Sequence, residues 1–290
     1  MPSSAEFAWP AYRALRLLAL AQPLDDVEER QVQAAKAALC RCLDLPPRQA
    51  EIEARRCLLH RREVQLHEVM SAEMPATLLA QLVDCVDLPS PPDLHGRGTL
   101  FLSLHFGLYS SLLWLRLARV ASAGAIPPLA VLFDSGTDRS WRFRGPDRFQ
   151  ELEDVGLMAR DRAWKVDRQV KGPLGAAREL LTHLQGGGAA LMMFDAEEAV
   201  RESRHNLKLT IGRRRPSFPG GAAWLASSAR ARVIPAWIEP AGDGYAVRLG
   251  PAGEPHDLPA LAQWLVEATS LAQPWLWEGW FRLPALAAEG

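Results

Sequence analysis

Residues 98–115 read GTLFLSLHFGLYSSLLWL, with a short apolar run before His105-Phe106-Gly107 and a second apolar run after it. The first run predicts a buried β-strand over 99–104, and the second predicts a helix over 108–120. A strand that leads directly into a helix is typical of α/β sheets, whose functional residues collect at the carboxyl ends of the strands. His105 is therefore a candidate for acid–base chemistry, the alternative being a strand-end histidine that is hydrogen-bonded to backbone.

Outward from this stretch, apolar runs alternate with helical patterns. Pro173 in a first turn and glycines at 186–188 bound a predicted helix over 173–185. The whole pattern predicts an α/β fold with a mixed, mostly parallel central sheet flanked by helices. The polar stretch 134–171 predicts no clear element. The remaining elements are strands at 129–133, 189–194, 207–211, 233–238 and 245–249 and a helix at 219–230.

Residues 1–92 are predicted to be helical. One helix follows Asp25-Asp26 and runs to about Leu43, a second spans 48–70, and a third starts at Pro75 and ends near Val86. The sequence DLPSPP at 87–92 predicts a linker. We therefore expect an N-terminal helical region, 1–92, that packs on the core and covers one side of the site, and an α/β domain over 93–290.

Composition, charge and missing motifs argue against several functional classes. The chain has 290 residues, of which 33 are Lys or Arg and 34 are Asp or Glu, so its charge gives no reason to expect a nucleic-acid partner. A chain of this length needs no disulfides to be stable, so its four cysteines favour a reducing compartment, the cytoplasm. Cys40-x-Cys42 has the wrong spacing for a zinc knuckle, and we predict no metal site. No signal peptide or bilayer span is expected, and no P-loop, dinucleotide fingerprint or serine-hydrolase elbow is present.

A second candidate cluster follows the apolar run at 189–194. Asp195 stands at the predicted carboxyl end of that strand, with Glu197 and Glu198 close behind. Taken alone, this segment favours a helix N-cap with acidic residues in the first turn over a catalytic role.

A third cluster is basic. Gly212 precedes Arg213, Arg214 and Arg215, and the glycines at 220–221 precede a predicted helix. Guanidinium groups and a helix N-terminus both favour a bound anion such as a phosphate. The alternative is a solvated basic turn.

Together, these features resemble a divergent, anchor-less member of the lipid A lauroyl/myristoyl acyltransferase branch of the lysophospholipid acyltransferase superfamily. The resemblance extends over most of the chain. The features that carry it are His105-Phe106-Gly107 after a strand, the helix–glycine–strand–Asp pattern over 174–195, the Ile211-Gly212 turn before the glycine-rich helix at 219–226, Val233-Ile234-Pro235, and the aromatic stretch 273–277 with Trp280 and Arg282.

The resemblance implies that His105 belongs to an H-x4-acid motif and acts as general base on an acceptor. Here Ser110 stands at the acid position, and no carboxylate occurs between Asp93 and Asp134. Three explanations stay open. An acid from elsewhere (Asp195, Glu197 or Asp134) reaches the histidine, the acceptor needs little activation, or the site only binds. Ser110 is the expected local hydrogen-bond partner of the ring.

The resemblance therefore implies an acyltransferase that moves an acyl group from an acyl carrier protein or CoA thioester to an amine or hydroxyl of a small-molecule or lipid acceptor. The alternatives are an acyl-binding or carrier-binding module that has lost catalysis, and a thioester hydrolase. Phosphopantetheine is expected as part of the co-substrate, with no other cofactor. The chain is expected in the cytoplasm, and peripheral contact with the inner face of the membrane stays open. The candidate catalytic residues are His105, Ser110 and Asp195, and the candidate substrate-binding residues are Phe106, Gly107, Tyr109, Gly212, Arg213 and Arg215.

Overall fold

The computed structural model describes residues 17–18, 20–90, 94, 96–133, 145–195, 206–242 and 244–282. Within these ranges, the side chains at 72, 110, 111, 133, 145–147, 149 and 282 are outside the description. The α-helices are α1 (Asp26–Leu43), α2 (Pro47–Glu73), α3 (Ala76–Asp84), α4 (Trp114–Ser122), α5 (Gly145–Asp154), α6 (Arg168–Gln185), α7 (Gly221–Ala229), α8 (Leu258–Val266) and α9 (Gly279–Arg282).

The core of the fold is a six-stranded sheet in the order β3-β2-β4-β1-β7-β8. The first five strands are parallel, and β8 joins the edge antiparallel to β7. This arrangement confirms the predicted mixed, mostly parallel α/β sheet. The strands are β1 (Thr99–Ser103), β2 (Leu129–Phe133), β3 (Ala163–Asp167), β4 (Ala189–Met193), β7 (Arg232–Ala241) and β8 (Gly244–Leu249), and a separate pair is formed by β5 (Leu207–Lys208) and β6 (Ser217–Phe218).

Strand β1 is apolar on both sides because helices cover both faces of the sheet. All five of its residues are buried, as expected for a central parallel strand. Leu100 and Leu102 point into one buried cluster, which also contains Leu39 of α1. Phe101 points into a second cluster, which contains Leu79 of α3. The N-terminal helices thus share both buried clusters with the sheet.

Local signals explain where the helices start. The Asp25 carboxylate accepts hydrogen bonds from the backbone N–H groups of Val27 and Glu28, each at 2.8 Å, and caps α1 at the predicted place. Helix α6 contains a kink at Gly172, whose φ of 68° is not helical. The regular part beyond the kink is the helix predicted over 173–185, with Pro173 in its first turn.

The structure corrects three sequence-based expectations. The stretch 134–171, for which no element was predicted, contains α5 and the edge strand β3. Strand β5 covers only Leu207–Lys208 instead of 207–211. The predicted linker at 87–92 begins inside the sheet edge, because the Asp87 N–H donates to the Tyr245 carbonyl at 3.1 Å and the Asp87 carbonyl accepts from Val247 at 2.7 Å. None of the described helices has the length and hydropathy that a bilayer crossing requires.

Candidate active site

Two neighbouring parallel strands bring His105 and Asp195 together. Strands β1 and β4 are paired so that Ser103 lies opposite Met193. The Phe194 N–H donates to the Ser103 carbonyl at 3.1 Å, which extends the pairing beyond the strand ends. His105 and Asp195 each stand two residues beyond that register pair, so they meet at the carboxyl edge of the sheet, where α/β folds place their ligand sites.

The Asp195 carboxylate binds both the backbone and the ring of His105. The distance from ring Nδ1 to Oδ1 is 2.8 Å. The His105 backbone N–H lies 2.9 Å from Oδ1 and 3.1 Å from Oδ2. An ionised carboxylate only accepts hydrogen bonds, so this contact assigns the proton of a neutral ring to Nδ1 and leaves the Nε2 lone pair as the basic site.

The two partners differ in exposure. The Asp195 side chain is 1% exposed, whereas the His105 side chain keeps 12% of its surface exposed. Burial raises the pKa of the Asp195 carboxyl, but the positive charge of His105 and the hydrogen bonds from its ring, from the Trp277 indole and from the His105 backbone together hold that pKa below its ordinary value. Asp195 is therefore ionised at neutral pH. Among the described residues, the His105 ring makes no hydrogen bond other than the one through Nδ1.

The turn after β1 is held in place by the C-terminal segment 276–278. Gly107 has a φ of 60°, and a Cβ there would lie 2.1 Å from the Ile238 carbonyl oxygen of β7, so only glycine fits. The Gly107 N–H donates to the Leu276 carbonyl at 3.0 Å, and the Glu278 N–H donates to the His105 carbonyl at 3.1 Å. These contacts fix the backbone on both sides of the histidine.

Tyr109 borders the histidine ring. The centroids of the two rings are 4.6 Å apart in an edge-to-face arrangement. The Tyr109 hydroxyl donates to the Glu278 carboxylate at 3.3 Å. Tyr109 begins a π-helical turn, Tyr109–Leu113, which replaces the first turn of the helix predicted over 108–120. Such turns occur frequently at functional sites.

The basic turn predicted to bind an anion packs on α1. Gly212 has a φ of 58°, and a Cβ there would lie 1.9 Å from the Cys42 carbonyl oxygen. The Arg213 N–H donates to the same carbonyl at 2.8 Å, and the Arg213 guanidinium pairs with the Asp44 carboxylate at 2.5 Å. Arg215 is exposed. Among the described contacts, none joins this turn to His105, so its predicted role in substrate binding stays a prediction.

The remaining candidate residues are placed as follows. Phe106 is fully buried and packs in the core, and its predicted contact with substrate stays a prediction. The side chain of Ser110 is outside the described part of the structure, so its expected hydrogen bond to His105 stays a prediction as well. Asp134 and Glu197, two of the three carboxylates considered as partners of His105, also lie outside the described residues. Asp195, the third, occupies that position.

Sequence reasoning missed the roles of Trp277 and Glu278. The C-terminal tryptophans were noted as part of the resemblance, but nothing in their spacing indicates that one of them reaches the carboxylate at the end of β4. The Trp277 indole Nε1–H donates to Asp195 Oδ2 at 2.7 Å. Both residues therefore belong to the surroundings of the His105–Asp195 pair.

In the part of the chain that the structure describes, no cluster of three His, Cys, Asp or Glu side chains is arranged to hold a metal ion. Compared with models of known protein families and with curated protein sequences, the chain gives no match. The function of the chain is therefore inferred from the geometry around His105.

Proposed function

We propose that this chain is an acyltransferase in which His105, oriented by Asp195, acts as the general base. The observation that carries the proposal is the environment of the His105 ring. A buried carboxylate binds its Nδ1, while the ring stays partly exposed at the carboxyl edge of the sheet and Nε2 has no described partner. A neutral imidazole held in this way can take a proton from an incoming nucleophile.

The reaction consists of two steps. Nε2 of His105 removes a proton from the acceptor amine or hydroxyl as that group attacks the thioester carbonyl, which gives a tetrahedral intermediate and an imidazolium. The intermediate then collapses, the carbon–sulfur bond breaks, and the imidazolium returns the proton to the departing thiolate. The products are the acylated acceptor and the free thiol of phosphopantetheine.

Asp195 supplies what Ser110 cannot. In the family that the sequence resembles, the acid of the H-x4-acid motif orients the imidazole and stabilises its charged form. Asp195 comes from the neighbouring strand, yet it contacts Nδ1 and is ionised, which fits the same role. The intact pair therefore favours a catalytic site over a module that has lost catalysis.

We propose direct transfer, not a covalent acyl-enzyme, because in the family that the sequence resembles the acceptor itself attacks the thioester. Among the side chains that the structure describes, which do not include that of Ser110, no serine or cysteine is hydrogen-bonded to the His105 ring as an enzymic nucleophile would be. The nucleophile is then expected to come from solution. An amine, a hydroxyl and water all satisfy this requirement, so transfer and hydrolysis differ only in the acceptor.

The proposal is tested with purified protein, acyl carrier protein and CoA thioesters of several chain lengths, and a panel of amines and alcohols. Thiol release is followed by a colorimetric thiol reagent, and the acylated product is identified by mass spectrometry. H105A is compared with H256A, which removes a histidine whose side chain is 81% exposed. We expect acceptor-dependent thiol release that H105A slows by about 10² to 10⁴ and H256A retains.

The other outcomes separate the alternatives. Free acid released at a rate that does not depend on the acceptor would identify a thioester hydrolase. Tight binding of acyl phosphopantetheine without turnover, unchanged in H105A, would identify a binding module. Full transfer activity in H105A would contradict the proposal.

A further inference from the structure

The C-terminal segment 276–278 contacts the His105–Asp195 pair through a side chain as well as through backbone. Phe106 and Trp277 form an isolated antiparallel β-bridge. This bridge places the Trp277 indole, which is 1% exposed, against the carboxylate of Asp195. The hydrogen bond joins two residues that are 82 positions apart in the chain.

We propose that Trp277 is a positioning residue that fixes the Asp195 carboxylate for its work on His105, an inference that rests on the proposed function. Oδ1 of Asp195 accepts from ring Nδ1 and from the His105 N–H. Oδ2 accepts from the Trp277 indole at 2.7 Å and, at a longer 3.1 Å, from the His105 N–H. Donors on both oxygens fix the plane of the carboxylate, so that Oδ1 stays directed at Nδ1.

The indole also adds to the contacts that lower the pKa of Asp195 against the effect of burial, after the charge and the ring hydrogen bond of His105. An indole N–H donates and never accepts, so it stabilises the carboxylate and opposes the protonated acid. Asp195 is buried, and without the indole its Oδ2 would keep only the longer hydrogen bond from the His105 N–H, so part of the compensation that its burial requires would be lost. Without the indole, the pKa of Asp195 rises, and the carboxylate becomes a stronger acceptor for the His105 ring.

Within the described residues, which exclude 134–144 and 196–205, few other titratable groups face this pair. Two of the described residues contact the Asp195 carboxylate. One is His105, in the turn after β1, and the other is Trp277, in the C-terminal segment. Tyr109 packs edge-to-face on the His105 ring, and Glu278, which accepts from the Tyr109 hydroxyl, donates its N–H to the His105 carbonyl. Within the described residues, the His105 ring is thus the titratable side chain in contact with the Asp195 carboxylate.

The matched experiment compares W277F with W280F. Trp280 is also buried and stacks edge-to-face on Trp277, but its indole donates to the Pro274 carbonyl at 2.9 Å instead of to Asp195. We expect W277F to lower kcat roughly 10- to 100-fold, the size of effect expected for a hydrogen bond to a charged group, with little change in KM. The acidic limb of its pH–rate profile moves to higher pH, whereas that of W280F does not. The double mutant W277F/D195N is expected to lose no more kcat than D195N alone.

If W277F and W280F have the same kcat and the same pH profile, the inference is wrong. A second measurement needs neither folding of the variant nor turnover. In wild-type protein labelled with ¹⁵N, the Trp277 indole resonance is expected to shift with pH at the same midpoint as the His105 ring, while the Trp280 resonance stays unchanged. If the Trp277 resonance does not change with pH while the His105 ring titrates, the positioning role is wrong even if acyl transfer is established. Coupled resonances without any turnover would leave the positioning contact intact and contradict only the proposed function.

Discussion

Oδ1 of Asp195 accepts hydrogen bonds from both the ring and the backbone N–H of His105, at 2.8 and 2.9 Å. One buried carboxylate therefore fixes the ring and the turn that carries it. This relationship has consequences for catalysis, for acid stability and for the backbone of the turn, and each can be measured.

Replacing the carboxylate by an amide should impair the chemical step. D195N keeps the size of the side chain but removes the charge that stabilises an imidazolium, and the corresponding change in a serine protease triad costs roughly 10⁴ in kcat. We expect a loss of about 10² to 10⁴ in kcat with little change in KM for the thioester. Steady-state kinetics of D195N measures it. The control is D84N, which alters a surface ion pair with Arg119, and equal kcat values in the two variants would argue against a catalytic carboxylate.

Asp195 also makes stability depend on pH. Its pKa is lower in the folded chain than in the unfolded chain, because the contacts with His105 and Trp277 outweigh the effect of burial. This contribution is fully present above the pKa of an unfolded aspartate, about 3.9, and is lost as the pH falls through the folded pKa. Urea unfolding from pH 7 to pH 3 should show the free-energy difference between wild type and D195N narrowing at the acidic end. A difference that stays constant down to pH 3 would be inconsistent with the assignment.

Gly107 should tolerate no side chain. An alanine there must adopt a left-handed backbone conformation, which costs roughly 1–2 kcal/mol. Its Cβ would also lie 2.1 Å from the Ile238 carbonyl oxygen. Gly242 is a matched control, since its φ is 55° and nothing lies within 4 Å of its Cβ position. We expect G107A to lower the free energy of unfolding more than G242A and to reduce activity, because the turn carries His105. Equal losses in chemical denaturation would show that the close approach to β7 is not rigid.

The basic turn offers a test of donor binding. The ion pair between Arg213 and Asp44 is exposed, with 68% of each side chain accessible, so R213A should change stability by less than about 1 kcal/mol. If Arg213 and Arg215 bind the phosphate of the donor, R213A/R215A raises KM for the thioester and leaves kcat nearly unchanged. R160A, which breaks a partly exposed pair with Glu153, is the control. A lower kcat at unchanged KM would place these arginines at the reacting carbonyl instead.

Much of this fold could be predicted from local patterns, because β1, β2 and β4 are short, largely apolar runs. Strand β3 reads AWKVD and was missed, since it lies at the sheet edge, where polar residues are tolerated. His105 and Asp195 were each placed correctly at a strand end. The sequence left Asp195 as one of three carboxylates that could reach His105. The contact itself depends on β4 lying beside β1, and strand order is set by long-range packing rather than by either segment.

The contact between Trp277 and Asp195 also depends on long-range packing and could not be predicted from the sequence. A tryptophan near the C-terminus fits a closing core residue equally well, and only the tertiary structure brings its indole to Asp195. For His105 the sequence does hold one signal. No acid occurs between Asp93 and Asp134, so a carboxylate partner of His105, one of the three explanations left open, could come only from a more distant part of the chain.

The central claim is that Nε2 of His105 removes the proton of the acceptor. Its most direct test is a single-turnover experiment with saturating enzyme, in which acyl transfer to a fixed acceptor is timed for wild type and H105A across a pH series. We predict that H105A slows the chemical step by about 10² to 10⁴ and removes the acidic limb of the wild-type pH profile. If H105A transfers the acyl group at the wild-type rate with the same pH profile, the histidine is not the base, and this account of the site is wrong.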